Sequence, residues 1–249
     1  MDPIKEFKKQ VAENIEGLAN DQDVQELSRT WSQETNRNGY TYNFEWLGRP
    51  IIQYPQDIMA MQELIWQVQP DLIVEMGIAH GGSLIFFASM LELNAACGGP
   101  EDAGVLGVDI DIRQHNRKAI EEHPMARRIS MIEGSSIEPN TIEQVKAGTK
   151  GKKKIMVCLD SNHTHDHVLA ELEAYAPLTS VDSYCVVFDT LIQDMPAELF
   201  EDRDWGPGDN PKTAVWQYLK THPEFEIDKS IDNKLLISVA PDGYLKRTR

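Results

Sequence analysis

Positive charge is scarce in this sequence. Its 249 residues hold 24 Lys and Arg against 40 Asp and Glu, a net charge of −16. Binding nucleic acid needs a basic face that neutralises phosphates. The one basic run, residues 150–154, directly precedes an apolar strand pattern and reads as a solvated turn. No nucleic-acid partner is expected. Cysteine is scarce as well. Cys97, Cys158 and Cys185 are odd in number and match no zinc-ribbon or disulfide spacing. Cys158 and Cys185 fall in apolar runs, which points to buried thiols in a reducing compartment. No window reaches the roughly 18 apolar residues of a membrane span. The opening MDPIKEFKKQ has no apolar stretch of signal length. The expected location is the cytoplasm.

Several chemical signatures are missing too. No G-x-G-x-x-G occurs, so the dinucleotide fingerprint is absent. Residues 206–213 (GPGDNPKT) approximate a phosphate-binding loop, but Pro211 stands where a glycine must precede the lysine, and no strand leads in. His163-Thr-His165-Asp166-His167 is one residue short of the H-x-H-x-D-H pattern of binuclear zinc hydrolases. The H-x-D start of a non-haem iron triad occurs nowhere.

What is present is a packed α/β chain, with 41% hydrophobic and 8% aromatic residues. Ile4, Phe7, Val11, Ile15 and Leu18 fall at helical spacing over residues 3–19, and Pro3 suits a first helical turn. A polar stretch follows to about Asn43. Trp31, Tyr40, Tyr42, Phe44 and Trp46 in and beside it either pack this extension onto the main domain or line a substrate cleft. From Pro50 the pattern changes. Strands are predicted at 72–76, 105–110, 129–133, 155–160, 184–189 and 235–239, with a further one at 225–227. Helical patterns lie between them at 56–68, 83–93, 113–122, 139–147, 165–175 and 212–221. Continuous apolar strands separated by helices specify a mostly parallel sheet covered on both faces. The chain divides into an N-terminal helical and aromatic extension, 1–49, and a main domain, 50–249. Residues 201–212 (EDRDWGPGDNPK) form one long loop of the kind that serves as a lid.

The chemistry gathers at strand ends. The first strand runs DLIVEMG into IAHGGS and then a helix, which makes a cofactor crevice. Gly77 allows the sharp turn, and Gly81 lets a ligand approach the backbone ahead of Ser83. Glu75 can take a charged amino group, which S-adenosylmethionine carries and a nicotinamide dinucleotide lacks. Asp109, at the tip of the second strand, can accept ribose hydroxyls, while Asp111 suits an N-cap. Ser135 and Ser136 after the third strand either contact adenine or cap the next helix. Asp160 and Asp189 end the fourth and fifth strands. They share a divalent cation through hard oxygen ligands, or each caps the turn that follows it.

These segments resemble the cephalosporin hydroxylase / rhamnosyl O-methyltransferase family over roughly residues 45–247. The resemblance rests on WLGRPIIQYP (46–55), VEMGIAHGGS (74–83), GVDID (107–111), LDSNHTHDHV (159–168), VVFDT (187–191) and WGPGDNPKTAV (205–215). It implies a Rossmann-like class I methyltransferase fold with a seven-stranded sheet. It also implies S-adenosylmethionine-dependent O-methylation of a sugar or natural-product hydroxyl, and a homo-oligomer. By resemblance to catechol-type enzymes it further implies Mg2+ on Asp160 and Asp189, with His163 as the base that takes the hydroxyl proton. Phe188 occupies the middle ligand position of the catechol-type pattern and has no donor atom. The expected cofactor contacts are Glu75, Gly77, Gly81, Ser83, Asp109, Ser135, Ser136 and Asp160. The competing readings are a nicotinamide-dependent oxidoreductase and a cofactor-binding assembly subunit without turnover.

Overall fold

The computed structural model describes residues 2–249. Two helices open the chain, α1 (Pro3–Asn20) and α2 (Gln22–Asn36). Asp2 caps α1 and Asp21 caps α2, each accepting from a backbone N–H of the first turn. The second helix lies inside the stretch that composition reads as polar connection. Its Gln, Ser and Thr residues mask a stripe that carries Trp31. Phe44–Trp46 (β1) and Arg49–Ile51 (β2) then form a hairpin through Leu47 and Gly48, both at positive φ. The expected division at residues 49/50 falls inside this hairpin.

After α3 (Pro55–Val68) comes the alternation that apolar patterning predicts. The strands are β3 (Leu72–Met76), β4 (Gly104–Asp109), β5 (Ile129–Glu133), β6 (Ile155–Leu159), β7 (Tyr184–Val187), β8 (Phe225–Ile227) and β9 (Tyr244–Arg247). The intervening helices are α4 (Gly82–Ala96), α5 (Gln114–Glu121), α6 (Pro139–Gly148), α7 (His165–Tyr175), α8 (Pro211–Tyr218) and α9 (Lys229–Leu235). The strands form one seven-stranded sheet in the order β5-β4-β3-β6-β7-β9-β8. β3 to β7 are mutually parallel, and β9 runs antiparallel to both of its neighbours. The order reverses between β3 and β6, which opens a crevice at their carboxyl ends. β3, β6 and β7 are buried along their whole length, as strands covered on both faces must be.

One strand expectation fails. Residues 235–239 are apolar enough for a buried strand, yet they form the end of α9 and an irregular turn, with Leu236 at φ 63. A buried side chain does the work of a ladder there. Asp57, at the start of α3, accepts from the Val239 amide at 2.9 Å and the Ser238 hydroxyl at 2.6 Å, and the Tyr244 hydroxyl donates to it at 2.7 Å. The antiparallel strand follows instead at β9, whose last two residues are only half-buried. No described helix is long and apolar enough to cross a membrane.

Candidate active site

The turn after β3 sets the crevice. Gly77 has φ 98, and a β-carbon there would lie 1.9 Å from the carbonyl oxygen of Asp160. Only glycine allows both the left-handed turn and this approach of two strand tips. The Asp160 amide donates to the Met76 carbonyl at 2.7 Å, so the same contact fixes where the Asp160 side chain starts. Gly81, at φ 81, is the N-cap residue of α4.

Glu75 is fully buried beneath this turn, and neither of its carboxylate oxygens has a hydrogen-bond partner. Burial is the main reason its pKa rises to about 8; the Ser83 hydroxyl faces it and opposes the shift, and Asp109 adds to it. An acid this isolated wants a cation or a donor. Asp109 holds the turn from outside: its Oδ2 accepts from the amides of Ile78 (2.8 Å) and Ala79 (3.1 Å). Asp109, Ser135, Ser136 and Asp160 line one cavity of about 390 Å3, with Gly77 on its wall. Ser136 Oγ lies 3.0 Å from His167 Nε2, and the N-cap of α6 is Glu138, so neither serine caps that helix. Asp111 does not cap α5 either, whose N-cap is Arg113.

A second cavity, of about 170 Å3, shares Gly77 and Asp160 with the first and adds Ser83, His163 and Asp189. A third, of about 350 Å3, shares Tyr42, His163 and Asp189 with the second. It is walled by the segment 191–205, including Met195, Phe200 and Trp205. The three form one continuous cleft along the carboxyl ends of β4, β3, β6 and β7. Its midpoint is the place where Asp160, His163 and Asp189 meet.

One donor atom from each of those three residues lies within 4.8 Å of the other two. His163 Nε2 stands 3.2 Å from Asp189 Oδ2, and Trp205 packs edge-on against the His163 ring at 4.9 Å. Asp189 itself is held at φ 55, a left-handed conformation uncommon for a residue with a side chain. Burial, and then the neighbouring Asp189, Glu75 and Glu171 charges, raise the Asp160 carboxyl well above the usual carboxylate range. Gln53 opposes this with a hydrogen bond from Nε2 to Asp160 Oδ2 at 3.3 Å. Phe188, directly before Asp189, is buried in the apolar core. Two acids and an imidazole converging without a counter-charge suit a divalent cation, which would favour the ionised acids.

The other two histidines are occupied elsewhere. His165 bonds Thr213 Oγ1 at 2.8 Å and Gln217 at 3.1 Å, which ties α7 to α8. His167 sits among Ser136, Ser161 and buried Glu171 on the floor of the first cavity. Gln53 and Trp205 carry no sequence signal of their own, whereas His167 belongs to the histidine run at 163–167. Gln53 and Trp205 do lie within the segments 46–55 and 205–215 that carry the resemblance described above. Of the extension's aromatics, Trp31, Tyr40, Phe44 and Trp46 pack on the core, while Tyr42 stays 64% exposed on the cleft wall. A wider depression of about 750 Å3 opens at the opposite end of the sheet. Its cations are held in local structure, with Arg127 and Arg128 on Glu92 and Lys152 on backbone carbonyls.

A parallel sheet with one antiparallel strand, a crevice at the β3/β6 reversal and an orphaned acid beside a glycine turn define a class I methyltransferase. The sequence pattern of the Rhamnosyl O-methyltransferase/CmcI family matches residues 38–248. The rhamnosyl O-methyltransferase of Mycobacterium tuberculosis (strain ATCC 25618 / H37Rv) is 34% identical over 196 residues, covering 77% of this chain and 73% of the relative. That of Mycobacterium leprae (strain TN) is 31% identical over 207 residues, covering 81% and 82%. Among solved structures, CmcI with magnesium and S-adenosylmethionine superposes with a TM-score of 0.57 at 18% identity, over 84% of this chain and 78% of that one. The methyltransferase TomG of Streptomyces achromogenes, in complex with S-adenosylmethionine, gives a TM-score of 0.51 at 14% identity, over 80% and 79%. The chain belongs to the Rhamnosyl O-methyltransferase/CmcI family and is an S-adenosylmethionine-dependent O-methyltransferase.

Proposed function

We propose that this protein methylates a hydroxyl of a sugar, in a small molecule or a glycan, with His163 as general base and a divalent cation held by Asp160 and Asp189. The observation that carries this reading is the meeting of Asp160, His163 and Asp189 at the junction between two cavities. The names of the rhamnosyl relatives support the sugar acceptor.

Glu75 receives the cofactor's ammonium group and exchanges an unsatisfied buried acid for an ion pair. Asp109 and the two serines Ser135 and Ser136 hold its ribose and adenine along the 390 Å3 cavity. Gly77, Gly81 and Ser83 let its amino-acid end lie close to the backbone. The acceptor occupies the 350 Å3 cavity under Trp205, where the segment 191–205 excludes water and orients it. Bound S-adenosylmethionine supplies the methyl group: the acceptor oxygen bonds to the methyl carbon as the carbon–sulfur bond breaks, and its electron pair stays on sulfur. A cation, when bound, makes the hydroxyl more acidic. The hydroxyl proton passes to His163. The Asp189 carboxylate 3.2 Å from Nε2 favours a hydrogen on that nitrogen, which leaves Nδ1 with the free lone pair. Asp189 thereby orients the base, as carboxylates do for histidines in many hydrolases.

Calorimetric titration with S-adenosylhomocysteine, with and without Mg2+, tests the cofactor and metal parts. A panel of deoxysugar glycosides then tests the acceptor. No binding of S-adenosylhomocysteine under either condition would overturn the reading.

We further infer a cytoplasmic protein that assembles with copies of itself. The thiols of β6 and β7 suit a reducing compartment, and α1 leaves Ile4 67% and Phe7 65% exposed. Light scattering of the purified chain tests the assembly.

A further inference from the structure

The cation shell proposed above is short of one oxygen, because Phe188 stands where the catechol-type pattern has a carboxylate. We propose that Gln53 supplies it: its side-chain carbonyl is a neutral ligand to the cation held by Asp160 and Asp189. The inference rests on that metal reading and adds to it a residue outside the strand tips.

Gln53 is only 6% exposed, and it lines the same cavity as Asp160, His163 and Asp189. Its amide nitrogen donates to Asp160 Oδ2 at 3.3 Å, so the amide group already faces the acid pair. Its carbonyl oxygen is buried with no hydrogen-bond partner. A buried, unpaired amide oxygen is costly, and buried polar atoms in folded proteins are almost always satisfied. Next to a bare carboxylate the amide nitrogen is the better neighbour for Asp160, since a carboxylate accepts. A cation at the same acid inverts that preference. It repels the N–H groups and attracts the carbonyl dipole, and a half-turn of the terminal amide exchanges the two atoms. Hard divalent cations readily take Asn and Gln carbonyls among their oxygen ligands.

The placement of Gln53 is independent of the strand tips. It follows β2 and precedes α3, with Tyr54 wholly buried and Pro55 opening the helix. Proline restrains the residue before it, and the buried Tyr54 ring anchors that residue. Gln53 is thus presented from a fixed point on the far wall of the cleft. A neutral oxygen in place of a third carboxylate also lowers the charge of the shell, so the site should hold its cation less tightly than a three-acid shell.

The test is Mn2+ binding, followed by electron paramagnetic resonance of the S-adenosylhomocysteine-loaded protein. Wild type, Gln53→Leu and Gln53→Glu are compared, with unchanged S-adenosylhomocysteine affinity as the control for folding. Gln53→Leu should weaken Mn2+ binding by roughly ten- to a hundredfold. In wild type carrying glutamine labelled with 13C at the side-chain carbonyl, Mn2+ should show a 13C hyperfine coupling that Gln53→Leu abolishes. Gln53→Glu, which offers an oxygen but no N–H donor, should bind Mn2+ at least as tightly as wild type. Unchanged affinity in Gln53→Leu, or weakening in both variants with no 13C coupling, would overturn the ligand role while leaving the metal site standing. No Mn2+ binding by wild type would overturn both.

Discussion

His163 Nε2 faces Asp189 Oδ2 at 3.2 Å, and Asp189 reaches that position only by adopting a left-handed backbone. The carboxylate therefore has two partners to serve, an imidazole and the cation proposed beside Asp160. Its two oxygens allow both. In the proposed mechanism one fixes the imidazole tautomer and the other is left for the cation.

The first prediction concerns the base. His163→Ala should lower kcat roughly 10²–10⁴-fold, the range typical of a lost general base, with S-adenosylhomocysteine affinity unchanged. Asp189→Asn should also lower kcat, because an amide at that position no longer demands the Nε2–H tautomer. Steady-state kinetics on each variant measure this. A His163→Ala enzyme with wild-type kcat would remove the histidine from the mechanism.

Metal removal gives the second prediction. Protein dialysed against EDTA should lose turnover and regain it on adding Mg2+. Asp160→Asn should not be rescued at the same Mg2+ concentration. The physical reason is that burial and the neighbouring Asp189 charge raise the Asp160 carboxyl, and a cation there would favour its ionised form. Full activity in EDTA would dismiss the cation while leaving the cofactor assignment untouched.

Gly77 ties the cofactor turn to the metal acid, and this is the third prediction. Gly77→Ala would place a methyl group 1.9 Å from the Asp160 carbonyl oxygen on a backbone at φ 98. Alanine at positive φ alone destabilises by more than about 1 kcal/mol, and the clash adds to it. Thermal melts should show a fall of at least roughly 2–4 °C. Cofactor and metal affinity should weaken together, because one carbonyl positions both sites. A variant that loses only one of them would separate what this contact joins.

Much of this was legible in the sequence, for reasons that differ by residue. β3, β6 and β7 announce themselves because strands buried on both faces must be apolar throughout. Glu75 stands out because it interrupts such a run with a charge. The 235–239 segment misleads because its apolar residues really are buried, while Asp57, nearly two hundred positions earlier, satisfies its backbone. α2 is hidden because its first turns are polar and only its end meets the core. Gln53 is invisible for a further reason. A lone glutamine between an isoleucine and a tyrosine carries no pattern, and its meaning comes from what the fold places opposite it.

The last prediction joins stability, pH and cofactor through Glu75. Burial raises its pKa to about 8 from an ordinary value of 4.5. Between those two values the folded chain holds a proton that the unfolded chain lacks. Stabilisation from this group is therefore full below the lower value and is lost as pH rises through about 8. Glu75→Gln keeps the shape without the ionisation. Its melting temperature should exceed that of wild type on the alkaline side, with a flatter dependence through neutral pH. Asp57, raised to about 6 by its own burial, should still contribute a slope in both proteins at lower pH. The cofactor reverses the sign for wild type. An ammonium group beside Glu75 favours the carboxylate, so S-adenosylhomocysteine binding near neutral pH should release close to one proton. That release appears in calorimetry as a dependence of the binding heat on the buffer. In Glu75→Gln the release should vanish, and affinity should fall roughly 10- to 100-fold, the equivalent of about 1.5–3 kcal/mol for a hydrogen bond to a charged group. Unchanged affinity and proton release in Glu75→Gln would mean that the ammonium group sits elsewhere, and that this acid remains buried and neutral throughout the reaction.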